Sequence, residues 1–89
     1  MATFVIETYL SRARAAELDD MAARLRQATG GNGRSPAGRA ASRYLRSYFV
    51  ADDEIAYHLV ESGSPEAAAE LSRAAGLVPE RILEAEAAP

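Results

Sequence analysis

The spacing of apolar residues along this chain switches between two periods. TFVIETYL, residues 3–10, is β-branched and aromatic, which predicts a strand. Leu18, Met21, Ala22 and Leu25 then recur at helical spacing, with Arg12, Arg14, Glu17, Asp19, Asp20, Arg24 and Arg26 off that stripe. Ser11 is placed to cap this helix, and Gly30 and Gly31 end it near Thr29. Residues 44–50 and 55–61 return to alternation and read as strands. The ADDE between them reads as a hairpin turn, because Asp tolerates turn conformations. SPEAAAELSRAAG predicts a second helix, with Ser64 as N-cap, Pro65 at the first helical position and Gly76 as the stop. Ala67, Ala68, Leu71, Ala74 and Ala75 give it a narrow packing stripe. ERILEAE is a final short strand, and the terminal AAP is expected to fray.

The order strand, helix, strand, strand, helix, strand is that of the ferredoxin-like split βαβ unit. It implies an α+β fold, βαββαβ, with a four-stranded antiparallel sheet. Both helices cross over right-handedly and cover the same sheet face. One domain over residues 1–89 is expected. GGNGRSPAGR, residues 30–39, interrupts the pattern. Its four glycines disfavour a single backbone conformation, so a flexible loop is expected at about 30–40. The alternative is a lid over a binding site.

Alternation sorts the strand residues into two sets. Phe4, Ile6, Leu45, Phe49, Ile55 and Leu59, with Ser47 and Tyr57 alongside, suit burial beneath the helices. The opposite set is Val5, Glu7, Tyr9, Tyr44, Arg46, Tyr48, Ala56, His58 and Val60. A bare face that is partly apolar and carries tyrosines, an acid, a base and a histidine needs a partner. The economical solution is a homodimer in which two sheets stack face to face and close an α+β barrel. Glu7, Tyr9, Tyr44, Arg46, Tyr48 and His58 would then line a cavity able to hold a small-molecule ligand.

Composition narrows the chemistry. The chain has no cysteine, which excludes disulfides, thiolate metal sites and a cysteine nucleophile. It has neither a long apolar run nor a basic leader, so a soluble cytoplasmic protein is expected, with no membrane partner. The net charge of -3 hides an asymmetry. No acid lies between Asp20 and Asp52, whereas Arg24, Arg26, Arg34, Arg39, Arg43 and Arg46 do. Either the two halves neutralise each other, or the arginines form an anion-binding patch. The acidic total and the lack of a recognition motif argue against nucleic acid.

No GxSxG and no P-loop occurs. His58 alone could act as a general base, since an unperturbed imidazole titrates near neutrality. Glu7 could orient it and Arg46 could hold an anionic or enolate oxygen. That set would suit a cofactor-free oxygenase, isomerase or cyclase, a reading by fold-level analogy. The plainer reading makes His58 a packed interface residue and Glu7 with Arg46 a structural ion pair across the dimer interface. Three functions follow: a binding protein, a cofactor-free enzyme, or a dimerisation module alone. None requires a cofactor.

TFVIET, RYLRSYFVADDE, AYHLVES and AAGLVPERILEAE together resemble a family of small actinobacterial proteins of unknown function, whose best-understood relative binds nickel. That family's pattern is VER in the first strand, then WxHSYV, a hairpin, CVYEAP, a helix containing His, and AGLPxDRI. The resemblance implies a ferredoxin-like fold, a dimeric barrel and possible nickel binding. Glu7 stands at the family's strand-one glutamate, Tyr44 at its tryptophan, and Ser47, Tyr48 and Glu61 match outright. Arg46 replaces a histidine, His58 the cysteine, Val60 a tyrosine and Leu71 the helical histidine. A nickel site would therefore fall to His58 and Glu7, doubled by dimer symmetry, with the cation of Arg46 beside them opposing the metal.

Overall fold

The computed structural model describes residues 1–30 and 42–86. Strands β1 (Ala2–Tyr9), β2 (Arg43–Val50), β3 (Ile55–Ser62) and β4 (Arg81–Ala85) form one antiparallel sheet in the order β2-β3-β1-β4. Helices α1 (Leu18–Ala28) and α2 (Pro65–Ala74) make the two crossovers. This is the ferredoxin-type βαββαβ arrangement that the sequence predicts. The core joins Phe4 and Ile6 of β1, Val60 of β3, Leu25 of α1, and Ala68, Leu71, Ala75 and Leu77 of α2 and its exit. The loop expected at about 30–40 falls on residues 31–41, outside the described residues, as does the AAP tail.

Local signals account for the helix ends. Ser64 Oγ accepts from the Ala67 amide at 3.1 Å, and Pro65 occupies the first turn. Gly76 ends α2 at φ 75°, a left-handed conformation that glycine adopts freely. Before α1 the chain departs from expectation. Ser11 Oγ does accept from the Ala13 amide at 3.2 Å, but Arg12–Glu17 forms a 3-10 segment, kinked at Arg14. None of its residues is buried, so no packing enforces α geometry there.

Two features set the faces of the sheet. First, β1 pairs with β3 so that Phe4 faces Val60 and Ile6 faces His58. Directly opposed residues project to the same side, so Ala56, His58, Val60 and Ser62 lie beneath the helices, all four buried. Second, the β2–β3 register slips between Tyr44 and Arg46, where Tyr44 faces Val60 and Arg46 faces Leu59. The bulge leaves Leu45 as the extra residue and puts Tyr44, Ser47 and Phe49 on the helix side. These registers correct the expected sets. Tyr44, Ala56, His58 and Val60 belong to the covered face, and Ile55, Tyr57 and Leu59 to the open one.

The β2–β3 turn is tied to the exit of β1. Glu54 has φ 52°, where glycine or asparagine is usual. Its carbonyl accepts from the Leu10 amide at 2.9 Å, and its Oε2 from the Arg12 amide at 2.9 Å. Glu54→Ala should therefore destabilise by about 1 kcal/mol, the usual effect of losing a cap. Glu54→Gly loses the same bond but relieves about 1 kcal/mol of left-handed strain, so it should stay nearer wild type. Urea denaturation orders the two variants; a glycine variant weaker than the alanine one would contradict this account of the turn.

Candidate functional site

The registers arrange the open-face side chains in rows across the sheet. One row reads Tyr48, Tyr57, Glu7, Arg81 from β2 to β4. On one side of it runs Val50, Ile55, Tyr9, and on the other Arg46, Leu59, Val5, Leu83. A polar row thus lies between two largely apolar ones. Four of the large apolar or aromatic residues exposed among the described residues belong to this face: Tyr9 at 56%, Tyr48 at 50%, Leu83 at 41% and Val50 at 39%.

The charges on this face are mostly paired. Arg81 Nε donates to Glu7 Oε1 at 3.2 Å, and the Glu7 side chain is only 10% exposed. Arg43 meets Glu61 at 3.6 Å. Within one chain Glu7 is paired with Arg81 and not with Arg46. Arg46 is exposed and makes no ion pair among the described residues.

His58 occupies the other side of the sheet. It is fully buried, with Nδ1 2.6 Å from Ser47 Oγ and Nε2 3.1 Å from Thr8 Oγ1. Ser47 Oγ lies 2.8 Å from the Tyr44 hydroxyl, and the Arg26 guanidinium sits 5.1 Å from the centre of the Tyr44 ring. A neutral imidazole has one donor and one acceptor nitrogen, and the two hydroxyls satisfy both. Burial pushes the His58 pKa down to about 4, so the ring is neutral at pH 7. The network bridges β1, β2 and β3 and leaves no buried side-chain nitrogen or oxygen without a partner among the described residues.

Glu7, Tyr9, Arg46 and Tyr48 therefore share one face, as expected. Tyr44 and His58 do not join them, because the bulge and the Ile6–His58 pairing turn both inward. His58 and Glu7, the expected metal donors, project from opposite faces and do not converge on one ion. His58 also cannot serve as a base toward a ligand on the open face, since a general base must reach the proton it takes. Tyr57, Arg81 and Leu83 of the open face, and Thr8 and Ser47 of the buried network, were not picked out from the sequence as site residues. Arg81 had a signal: a strand glutamate needs a counter-charge, and the last strand offers a single arginine.

A separate shallow cleft of about 300 Å³ lies on the helix side, lined among others by Glu17, Asp20, Arg24, Leu77 and Glu80. Asp20 already pairs with Arg24 at 2.9 Å, and Glu17 with Arg14. Among the described residues no helix is long and apolar enough to cross a membrane.

No family model matches the chain, and no curated protein matches it. The solved structure of SCO4226 from Streptomyces coelicolor A3(2) is similar, with a TM-score of 0.63 over 99% of this chain and 100% of that one. The two sequences are 13% identical, so this likeness carries the fold alone.

The buried histidine makes stability depend on pH. Its folded pKa lies below the ordinary 6.5, so on acidification the unfolded chain takes up the proton first. The stability linked to neutral His58 is complete above pH 6.5 and is lost as pH falls toward 4. The loss should approach about 3 kcal/mol. Denaturation curves at pH 7 and 4.5 should show it, and His58→Gln should lose markedly less over the same interval. An equal loss in that variant would assign the acid sensitivity to other groups.

Proposed function

We propose that this chain is a self-associating binding module. Two copies stack their open sheet faces about a two-fold axis and hold a small ligand between them. The observation that carries this reading is the uncovered polar row of Tyr48, Tyr57, Glu7 and Arg81, set between two apolar rows. A two-fold interface must be complementary to itself. This face has apolar rows to meet apolar rows, and its two carboxylates are already paired within the chain.

Size sets an expectation for strength. Three strands roughly 25 Å long and one of roughly 17 Å, about 4.8 Å apart, offer on the order of 450 Å² per copy in projection. Two such faces reach about 900 Å², in the range of weak, transient interfaces. The dimer should accordingly be reversible, with a dissociation constant in the micromolar range.

Binding is favoured over catalysis because His58, the candidate base, lies beneath the helices. An organic ligand is favoured over nickel because Glu7 has no imidazole beside it, and nickel prefers nitrogen and sulfur donors.

Sedimentation equilibrium at tens of micromolar should report twice the 9.5 kDa chain mass. Tyr48→Lys should raise the dissociation constant roughly tenfold or more, because an ammonium buried on the same face as Arg46 loses its hydration and gains no partner. A strictly monomeric wild-type chain would remove the stacked-sheet reading.

A further inference from the structure

Stacking two open faces collects their charges, and the count does not balance. On each face Glu61 is engaged by Arg43 at 3.6 Å and Glu7 by Arg81 at 3.2 Å. Arg46 is left over. The chain between Asp20 and Asp52 contains no carboxylate, so residues 31–41 cannot supply one. Counted over the described residues, each copy thus brings one uncompensated guanidinium to the proposed interface. Taking an unpaired charge out of water is strongly unfavourable.

We infer that Arg46 is an anion site of the dimer and that its occupant is a small aromatic carboxylate, one per copy. The inference rests on the stacked-sheet reading above. The planar guanidinium fork matches a carboxylate in bidentate fashion. Tyr48 lies two residues along β2 on the same face, and Tyr57 stands directly opposite it on β3. Both tyrosines therefore occupy the row next to Arg46 on the same face, with Tyr48 half exposed. They provide a planar wall for a ring and hydroxyls for a polar substituent. Leu59, paired with Arg46 across β3, adds an apolar floor. A purely inorganic anion would use the arginine and leave the tyrosines idle. Because the anion compensates Arg46 where the faces close, binding and dimerisation are linked: the ligand tightens the dimer, and the dimer tightens the site.

Benzoate serves as the probe. The dissociation constant of the full chain is measured by sedimentation equilibrium at fixed ionic strength, in chloride alone and with added benzoate, benzylamine or inorganic phosphate. Benzoate at about ten times its own dissociation constant should tighten the dimer by about a hundredfold, since each of the two sites contributes a factor of about ten. Benzylamine, of opposite charge, should not tighten it, and phosphate should do so less than benzoate. Arg46→Met should dimerise more tightly than wild type without benzoate and lose the response to it. Arg46→Lys, which keeps the charge but not the fork, should respond weakly.

A wild-type dimer indifferent to benzoate would overturn the inference while leaving the stacked sheets intact. So would a weaker dimer in Arg46→Met, which would mean that the partner copy already supplies a carboxylate. An equal response to phosphate would overturn the aromatic specificity. No dimer with or without benzoate would instead refute the stacked-sheet reading itself.

Discussion

The pairing of Ile6 with His58 decides both faces of this sheet. Strand side chains alternate, so one fixed pair assigns every other residue of β1 and β3 to a side. Ile6 and Phe4 must lie under the helices to complete the core. His58 and Val60 go with them, and Ile55, Tyr57 and Leu59 are turned outward. The bulge at Leu45 then lets β2 follow, presenting Tyr44 and Ser47 inward while Arg46 and Tyr48 remain outside.

This arrangement separates two polar systems by the thickness of one sheet. Inside, Tyr44, Ser47, His58 and Thr8 form a closed hydrogen-bonded chain beneath the helices. Its members satisfy one another, and removing one would orphan a buried hydroxyl or ring nitrogen at a cost of about 1–3 kcal/mol. The network ties three strands together and has the character of structure rather than of a site. Outside, Glu7, Arg81, Tyr48 and Tyr57 lie in one row with Arg46 in the next. There Arg81, Tyr48, Tyr57 and Arg46 are at least partly exposed and able to meet something that is not yet part of the chain, while Glu7 is buried beside Arg81.

Much of the fold was legible because local signals agreed with it. Ser64, Pro65 and Gly76 bound α2 as their chemistry requires, and the β-branched run of β1 forms the strand it predicts. The faces of β3 were not legible. Both of its alternating sets contain apolar residues, and the set of Ile55, Tyr57 and Leu59 is the more hydrophobic. Small residues decided against it: Ala56 and Ser62 sit fully buried under the helices, and His58 is accommodated because Thr8 and Ser47 offer hydroxyls at the right places. The bulge carries no glycine or proline, so nothing in RYLRSY announces it. The site reading inherited both errors. Glu7, Tyr9, Arg46 and Tyr48 stood on strand halves whose parity was read correctly, whereas Tyr44 and His58 did not.

In the proposed dimer the open sheet face, and not the helical face, meets a second copy. Isotope-filtered nuclear Overhauser measurements on a mixture of labelled and unlabelled chains address it directly. Contacts between copies are expected at Val5, Tyr48, Tyr57 and Leu83, and none at Met21, Ala69 or Arg73 on the helices. Contacts between copies confined to α1 and α2, with the Tyr48 and Leu83 signals unchanged on dilution, would contradict it.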